Sequence, residues 1–122
     1  MNVAILGATD KPDRFAHKAQ KLLMEHGHVA FPISLSGKEI LGCPGYRSIV
    51  DITEEIDTVT VYMNPDRFAV VQDEILAKAP RRIIFNPGTE SPEAAKVFRE
   101  AGISVVEACT LILLDAGQFE SA

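Results

Sequence analysis

Five short, uninterrupted apolar runs alternate with amphipathic helical patterns along this chain, and no other feature constrains the fold as strongly. Apolar runs of this length without polar alternation are typical of strands buried on both faces of a parallel sheet. The helical patterns between them then provide the crossover connections. The sequence therefore predicts a three-layer α/β fold, in which helices cover both faces of a doubly wound, mainly parallel sheet of five or six strands.

Glycine and proline residues set the boundaries of the predicted elements. The predicted strands cover residues 3–6, 29–33, 58–63, 82–85 and 103–106. The predicted helices cover residues 14–26, 66–78 and 92–101. Along the first, Phe15, Ala19, Leu22, Leu23 and His26 recur at helical spacing, so the apolar members of this set are expected to face the core. Segment 34–52 is expected to be irregular. The apolar tail, residues 108–114, is expected to form either a short helix over the sheet or a sixth strand.

Composition and charge narrow the classes of function. A length of 122 residues suits one domain over residues 1–122 without a linker, and a net charge of −5 with no basic stripe argues against nucleic acid as a ligand. No apolar segment approaches the roughly 20 residues that span a bilayer, and no signal peptide precedes the first strand, so no membrane role is expected. Cys43 and Cys109 are far apart in the sequence, which favours reduced thiols and a cytoplasmic location.

The turn after the first predicted strand is suited to holding a phosphate. Residues 3–6 end at Gly7 and a helical pattern follows from Arg14, so backbone N–H groups and the positive end of a helix dipole would face a bound anion. Thr9 and Pro12 stand where the second and third glycines of G-x-G-x-x-G belong, which counts against an ordinary NAD site. Gly7 is expected to need either a positive φ or a close backbone approach to the ligand.

The end of the second predicted strand indicates which nucleotide fits. Ligands of doubly wound sheets lie outside the carboxyl ends of the strands. Those ends are here residues 7–12, 33–38, 63–67, 86–90 and 107–110. NAD enzymes usually end the second strand with an acidic residue that binds the ribose. In this chain, the first charged residue after the second predicted strand is Lys38, and no acidic residue lies between that strand and Glu39. An ammonium group in this place favours a ribose that carries a phosphate, as in NADP or coenzyme A.

Three stretches of the chain resemble a known family. They are residues 3–14 (Val-Ala-Ile-Leu-Gly-Ala-Thr-Asp-Lys-Pro-Asp-Arg), residues 37–42 (Gly-Lys-Glu-Ile-Leu-Gly) and residues 46–52 (Tyr-Arg-Ser-Ile-Val-Asp-Ile). With the order of the elements, they resemble small stand-alone CoA-binding domain proteins, which are similar to the N-terminal CoA-binding domain of the succinyl-CoA synthetase α subunit. The resemblance implies a Rossmann-like fold and a ligand that is coenzyme A or an acyl-CoA, with NADP as the less favoured cofactor.

The resemblance also implies which residues contact this ligand. The pyrophosphate would lie along Gly7, Thr9, Lys11 and Pro12. The adenine would lie near Phe31, Pro32 and Ile33, and the 3′-phosphate near Ser36 or Lys38. The predicted contacts at the strand ends are completed by Ala8, Met63, Asn64, Pro87 and Gly88.

Few residues are suited to catalysis, and no metal site is expected. Cys109 is a candidate nucleophile or thiol-exchange partner, although its apolar surroundings are more typical of a buried structural cysteine. His17 either donates to a ligand phosphate, acts as a general acid or lies on a helix surface, and His26 and His28 are expected at the surface. The spacing of the three histidines does not suit a shared metal ion.

Three functions stay open at this point. The first is a cytosolic module that binds coenzyme A, an acyl-CoA or a related adenine nucleotide, with no catalysis assigned. The second is a small enzyme that depends on NADP or on the Cys109 thiol, and the third is a non-catalytic subunit of a larger CoA-using complex. An exposed apolar tail at residues 111–114 would favour a homodimer or a partner subunit.

Overall fold

The computed structural model describes residues 1–122 and contains a sheet of five parallel strands in the order β2-β1-β3-β4-β5. The strands are β1 (Asn2–Leu6), β2 (Val29–Ile33), β3 (Thr58–Val61), β4 (Arg82–Phe85) and β5 (Ser104–Glu107). The helices are α1 (Phe15–Glu25), α2 (Pro65–Lys78), α3 (Pro92–Glu100) and α4 (Thr110–Asp115), with a short 3₁₀ turn at Ile49–Asp51. The predicted Rossmann-like α/β fold is confirmed, with five strands. None of the helices is both long and apolar enough to cross a membrane.

The sheet buries an apolar core on each face, because successive side chains of a strand point to opposite sides. Ala4 and Leu6 of β1 lie in the core under α2 and α3, where Phe68 is fully buried. Val3 and Ile5 of the same strand lie in the core under α1 and α4. Helices on both faces complete the three layers, and because all five strands are parallel, their carboxyl ends lie at one edge of the sheet.

The apolar tail forms helix α4, which packs against α1, and does not add a sixth strand. Leu114 is buried in the core beneath these two helices, whereas Ile112 is 67% exposed. The tail therefore covers the sheet, and only part of its apolar surface faces solvent.

Two expectations about burial are wrong. Phe15 is 68% exposed, because the buried stripe of α1 runs through Ala16 and Leu23, and Phe15 is rotated about 100° away from Ala16 around the helix. His28 is only 7% exposed and packs edge-on against Phe119, with ring centroids 5.1 Å apart. Burial lowers the pKa of the His28 imidazole, so the neutral ring is favoured in the folded chain.

Asn86 joins three elements just below the carboxyl edge of the sheet. Its side chain is buried, and its Nδ2 donates to Thr60 Oγ1 at 2.7 Å and to the carbonyl of Val61 at 2.9 Å. Its Oδ1 accepts from the backbone N–H of Thr110 at 2.9 Å. The hydroxyls of Thr60 and Thr110 lie 2.8 Å apart. This network fixes the start of α4 against β3 and β4.

At the opposite edge of the sheet, an ion pair makes the free energy of unfolding depend on pH in the acid range. Arg81 donates to both carboxylate oxygens of Asp57, at 2.9 and 3.1 Å, and this contact holds the pKa of Asp57 below its ordinary value of 3.8. The folded chain thus favours the ionised carboxylate, so the stabilisation is present above pH 3.8 and is lost as the pH falls below it. Asp57→Asn is expected to cost about 1 kcal/mol near neutral pH, because solvent screens a pair of this exposure.

Urea unfolding at a series of pH values measures this effect. The difference between the unaltered chain and Asp57→Asn should shrink toward zero below the ordinary pKa of the carboxyl group. Asp73→Asn, which changes an exposed carboxylate of α2 with no ion pair, is the matched control and should change stability little at any pH. A difference for Asp57→Asn that stays constant down to the acid limit would contradict the assignment.

Candidate functional site

A cleft of about 660 Å³ opens at the carboxyl ends of β1, β2 and β3. Strand β1 lies between β2 and β3, and the chain runs on from β1 to β2 but from β3 to β4, so the loops after β1 and β3 leave the sheet in opposite directions. This is the topological switch point, where doubly wound sheets bind their ligands. The walls are the loop between β1 and α1, the loop after β2, and the start of α2.

The first loop is bent sharply at Gly7. The backbone N–H groups of Gly7 and Ala8 both donate to the carbonyl of Ile33, at 3.1 and 2.9 Å. Gly7 has a φ of +91°, and a Cβ at this position would lie 2.9 Å from the carbonyl oxygen of Tyr62. Of the two expected reasons for this glycine, the positive φ holds, and the close approach is to the neighbouring strand end. The amides of Gly7 and Ala8 are used within the fold.

His17 orders the rest of this loop. Its Nδ1 lies 3.0 Å from the carbonyl oxygen of Thr9, so the ring carries its proton on Nδ1 and donates it to that oxygen. The backbone N–H of Lys11 donates to Thr9 Oγ1 at 3.3 Å. His17 is half-buried behind the loop and is not among the residues that line the cleft. The histidine thus supports the loop from below.

Helix α1 points an uncapped N-terminus at the cleft. Its N-cap residue Arg14 makes no side-chain cap, and no acidic residue lies in its first turn. In contrast, Asn64 caps α2 and Ser91 caps α3, each through a side-chain oxygen that accepts a backbone N–H. Free N–H groups and the positive end of the helix dipole favour a bound anion in this position.

The second wall is a loop that folds back onto the end of β2. The N–H of Ser34 donates to the carbonyl of Tyr46, and the N–H of Tyr46 donates to the carbonyl of Pro32, both at 3.0 Å. Gly45 makes this return possible, because a Cβ there would lie 2.0 Å from the carbonyl oxygen of Lys38. The closed loop brings Lys38 and Arg47 to the rim of the same cleft.

The cleft is locally basic although the chain is acidic overall. Its walls carry a single acidic residue, Asp10. They carry five basic residues, Lys11, Arg14, Lys38, Arg47 and Arg67. Lys38 Nζ lies 2.7 Å from Asp10 Oδ2, and this contact lowers the pKa of the Asp10 carboxyl. In a chain of net charge −5, such a concentration of cations favours an anionic ligand.

Tyr62 adds an apolar wall and contributes no charge. Tyr62 lines the cleft and packs against the core under α1 and α4, and its hydroxyl is buried without a hydrogen-bond partner. Burial raises the pKa of the phenol to about 12, so the group stays protonated at neutral pH. The cleft lining contains neither cysteine nor histidine. No three histidine, cysteine or carboxylate side chains gather anywhere in the structure to hold a metal ion.

The structure brings nine of the predicted contact residues to the walls of the cleft. They are Gly7, Ala8, Thr9, Lys11, Ile33, Ser36, Lys38, Met63 and Asn64. Five other predicted contacts do not line the cleft. Pro12 is exposed in the loop between β1 and α1, and Phe31 and Pro32 are buried within β2. Pro87 and Gly88 are exposed in the turn after β4. Cys109 is half-buried at the N-cap of α4, also outside the cleft walls. The role of each of these residues toward a ligand stays a prediction.

Twelve residues of the cleft wall were not among the predicted contacts. The basic residues among them are Arg14, Arg47 and Arg67. The strand-end rule covers the segment that holds Arg67, and the resembling stretch 46–52 covers Arg47. Neither pattern indicates which way a side chain points, so the direction of these guanidinium groups had to come from the structure.

Comparisons with known proteins agree with this fold. A crystal structure of an uncharacterized protein is 39% identical to this chain, with a TM-score of 0.87 and 97% of each chain covered. The structure of cell-free ID.343 from Thermus thermophilus is 31% identical, with a TM-score of 0.89 and coverage of 97% of this chain and 90% of that one. The uncharacterized protein YneT of Bacillus subtilis (strain 168) is 27% identical over 85% of this chain and 77% of its own length.

A more distant likeness concerns the fold alone. The dinucleotide-forming acetyl-coenzyme A synthetase 1 of Ca. Korarchaeum cryptofilum, in complex with phosphate and ADP, is 17% identical with a TM-score of 0.76. This chain matches 25% of that much longer one.

The family model for the CoA binding domain matches residues 1–115, nearly the whole sequence. The chain therefore belongs to the CoA binding domain family.

Proposed function

We propose that the cleft binds coenzyme A or an acyl-CoA through the 3′-phosphorylated ADP part of the molecule. The observation that carries this proposal is the set of five basic side chains that line one cleft of an acidic chain. Membership of the CoA binding domain family supports the same ligand. Coenzyme A carries a pyrophosphate and a phosphate monoester, and basic side chains form strong charge-assisted hydrogen bonds with both.

The geometry suggests how such a ligand is oriented. The uncapped N-terminus of α1, with Lys11 and Arg14 beside it, suits the pyrophosphate. The ribose of a nucleotide bound at a switch point lies at the end of the second strand. That place holds Lys38 and Arg47 and no carboxylate that would accept the ribose hydroxyls of NAD. A 3′-phosphorylated ribose fits this end of the cleft better than an unmodified one.

A binding role accounts for the cleft more directly than catalysis by Cys109 does. A catalytic thiol must reach the substrate. Cys109 lies at the start of α4, outside the residues that line the cleft. In the proposed complex the nucleotide part is held by charges, and the lining residues Tyr62 and Met63 offer apolar contacts to the rest of the ligand.

Isothermal titration with four ligands tests the proposal. Coenzyme A should bind about tenfold or more tightly than 3′-dephospho-CoA, because charge-assisted hydrogen bonds to the monoester are lost in the latter. NADP is the closest competitor, since its ribose also carries a phosphate, and NAD should bind most weakly. Binding of NAD that equals or exceeds that of coenzyme A would overturn the proposal.

A matched pair of arginine variants locates the site. Arg47→Gln, at the rim of the cleft, should weaken coenzyme A binding about tenfold through loss of a guanidinium contact to phosphate. Arg99→Gln removes the same charge from an exposed position on α3, remote from the cleft, and should leave the affinity nearly unchanged. Equal effects of the two variants would mean that only net charge matters.

A further inference from the structure

One ion pair joins the two loops that face each other across the basic cleft. Asp10 belongs to the loop between β1 and α1, and Lys38 belongs to the loop that follows β2. The two residues are 28 positions apart in the sequence, yet Lys38 Nζ lies 2.7 Å from Asp10 Oδ2. Both side chains are 53% exposed, so a ligand can reach either of them.

Asp10 is unusual among its neighbours. It is the only acidic residue in the wall of the cleft, and it neutralises one of the five cations there. Its carboxylate would lie well within a Debye length, about 10 Å, of phosphates bound in the same cleft. A neutral side chain at this position would favour anion binding more strongly than Asp10 does, so tight anion binding alone does not explain the carboxylate.

We propose that Asp10 and Lys38 form a latch between the two loops, which the 3′-phosphate of the ligand opens by replacing Asp10 as the partner of Lys38. This inference rests on the proposed function and adds a specificity device to it. A phosphate monoester carries close to two negative charges and three acceptor oxygens, so it competes for an ammonium group against a single carboxylate. A ligand without the monoester leaves the pair closed and receives no contact from Lys38.

The latch has a consequence for affinity that simple charge attraction does not share. Opening the pair costs part of the binding energy, and only ligands that open it bear this cost. Removing the Asp10 charge should therefore strengthen the binding of coenzyme A more than that of 3′-dephospho-CoA. The gain should also depend on Lys38, because without the ammonium group there is no pair to open.

Four variants measured by isothermal titration at low ionic strength test this. Asp10→Asn should tighten coenzyme A binding about fivefold, the upper range for an exposed ion pair, and should change 3′-dephospho-CoA binding about twofold or less. Lys38→Gln should weaken coenzyme A binding and leave 3′-dephospho-CoA nearly unaffected. In the double variant, the gain from Asp10→Asn should fall to about twofold or less.

Asp13→Asn provides the control for general electrostatics. Asp13 is an exposed carboxylate in the loop between β1 and α1 and does not line the cleft. Its removal should change the affinities for coenzyme A and 3′-dephospho-CoA equally and weakly. The latch is overturned if Asp10→Asn fails to tighten coenzyme A, if it tightens both ligands equally, or if the gain persists without Lys38. Failure of the unaltered protein to bind coenzyme A at all would overturn the proposed function itself, and is seen before any variant is made.

Discussion

Gly7→Ala is expected to lower the free energy of unfolding by about 3 kcal/mol, the upper range for strain stored at one backbone position. Gly7 has a φ of +91°, where an L-residue is strained, and the added Cβ would lie 2.9 Å from the carbonyl oxygen of Tyr62. That oxygen belongs to the backbone next to β3 and cannot swing away as a flexible side chain would. Urea unfolding followed by circular dichroism measures the loss.

Gly102→Ala separates the two causes of this effect. Gly102 has a similar φ of +82°, but a Cβ there would meet no atom within 4 Å. This control should cost about 1–2 kcal/mol, the price of the backbone conformation alone. If Gly7→Ala costs no more than Gly102→Ala, the contact with Tyr62 relaxes freely and the close approach explains nothing.

Gly7→Ala should also disturb the cleft. The N–H groups of Gly7 and Ala8 share the carbonyl of Ile33, so a displaced Gly7 moves both the loop between β1 and α1 and the end of β2. Any Gly7→Ala protein that remains folded should therefore bind coenzyme A more weakly. This outcome makes Gly7 a residue that shapes the site through the fold.

Asn86→Leu is the second large effect, with an expected loss of about 3 kcal/mol in the free energy of unfolding. Leucine has the same branched skeleton as asparagine but bulkier methyl groups, so no cavity forms, and the loss arises from the missing hydrogen bonds together with some crowding. The Thr110 N–H loses its acceptor, and Thr60 Oγ1 and the Val61 carbonyl each lose a donor, all in buried surroundings. Buried polar groups left without partners bear the full cost of desolvation.

An exposed asparagine supplies the comparison. Asn64 caps α2 by accepting from the Arg67 N–H at 2.9 Å, and Asn64→Ala should cost about 1 kcal/mol. Both changes are measured by urea unfolding under the same conditions. A loss for Asn86→Leu no greater than that for Asn64→Ala would show that the network below the carboxyl edge is dispensable.

The elements and the edge that carries the cleft could be predicted because the signals for them are local. Short apolar runs lack alternation when both faces of a strand are buried, which indicated the five parallel strands. Gly7 and Lys38 were placed on the correct loops because glycine marks a turn and a strand end is where a ligand loop begins. The family resemblance lay in these same loops, and the model of the CoA binding domain family confirms it over residues 1–115.

The side chains that meet across the cleft could not be predicted, because their meeting depends on strand pairing. Asp10 and Lys38 come together only when β1 and β2 align with Leu6 beside Ile33, a register that no local pattern contains. Phe15 is exposed because of its rotational position around α1, which packing of the helix on the sheet decides. His28 is buried against Phe119, which comes 91 positions later in the chain. The sequence by itself thus determined the strands, the helices and the edge of the sheet at which the cleft opens. Only the tertiary structure decided which charges share that cleft, since long-range contacts follow from packing and not from neighbours along the chain.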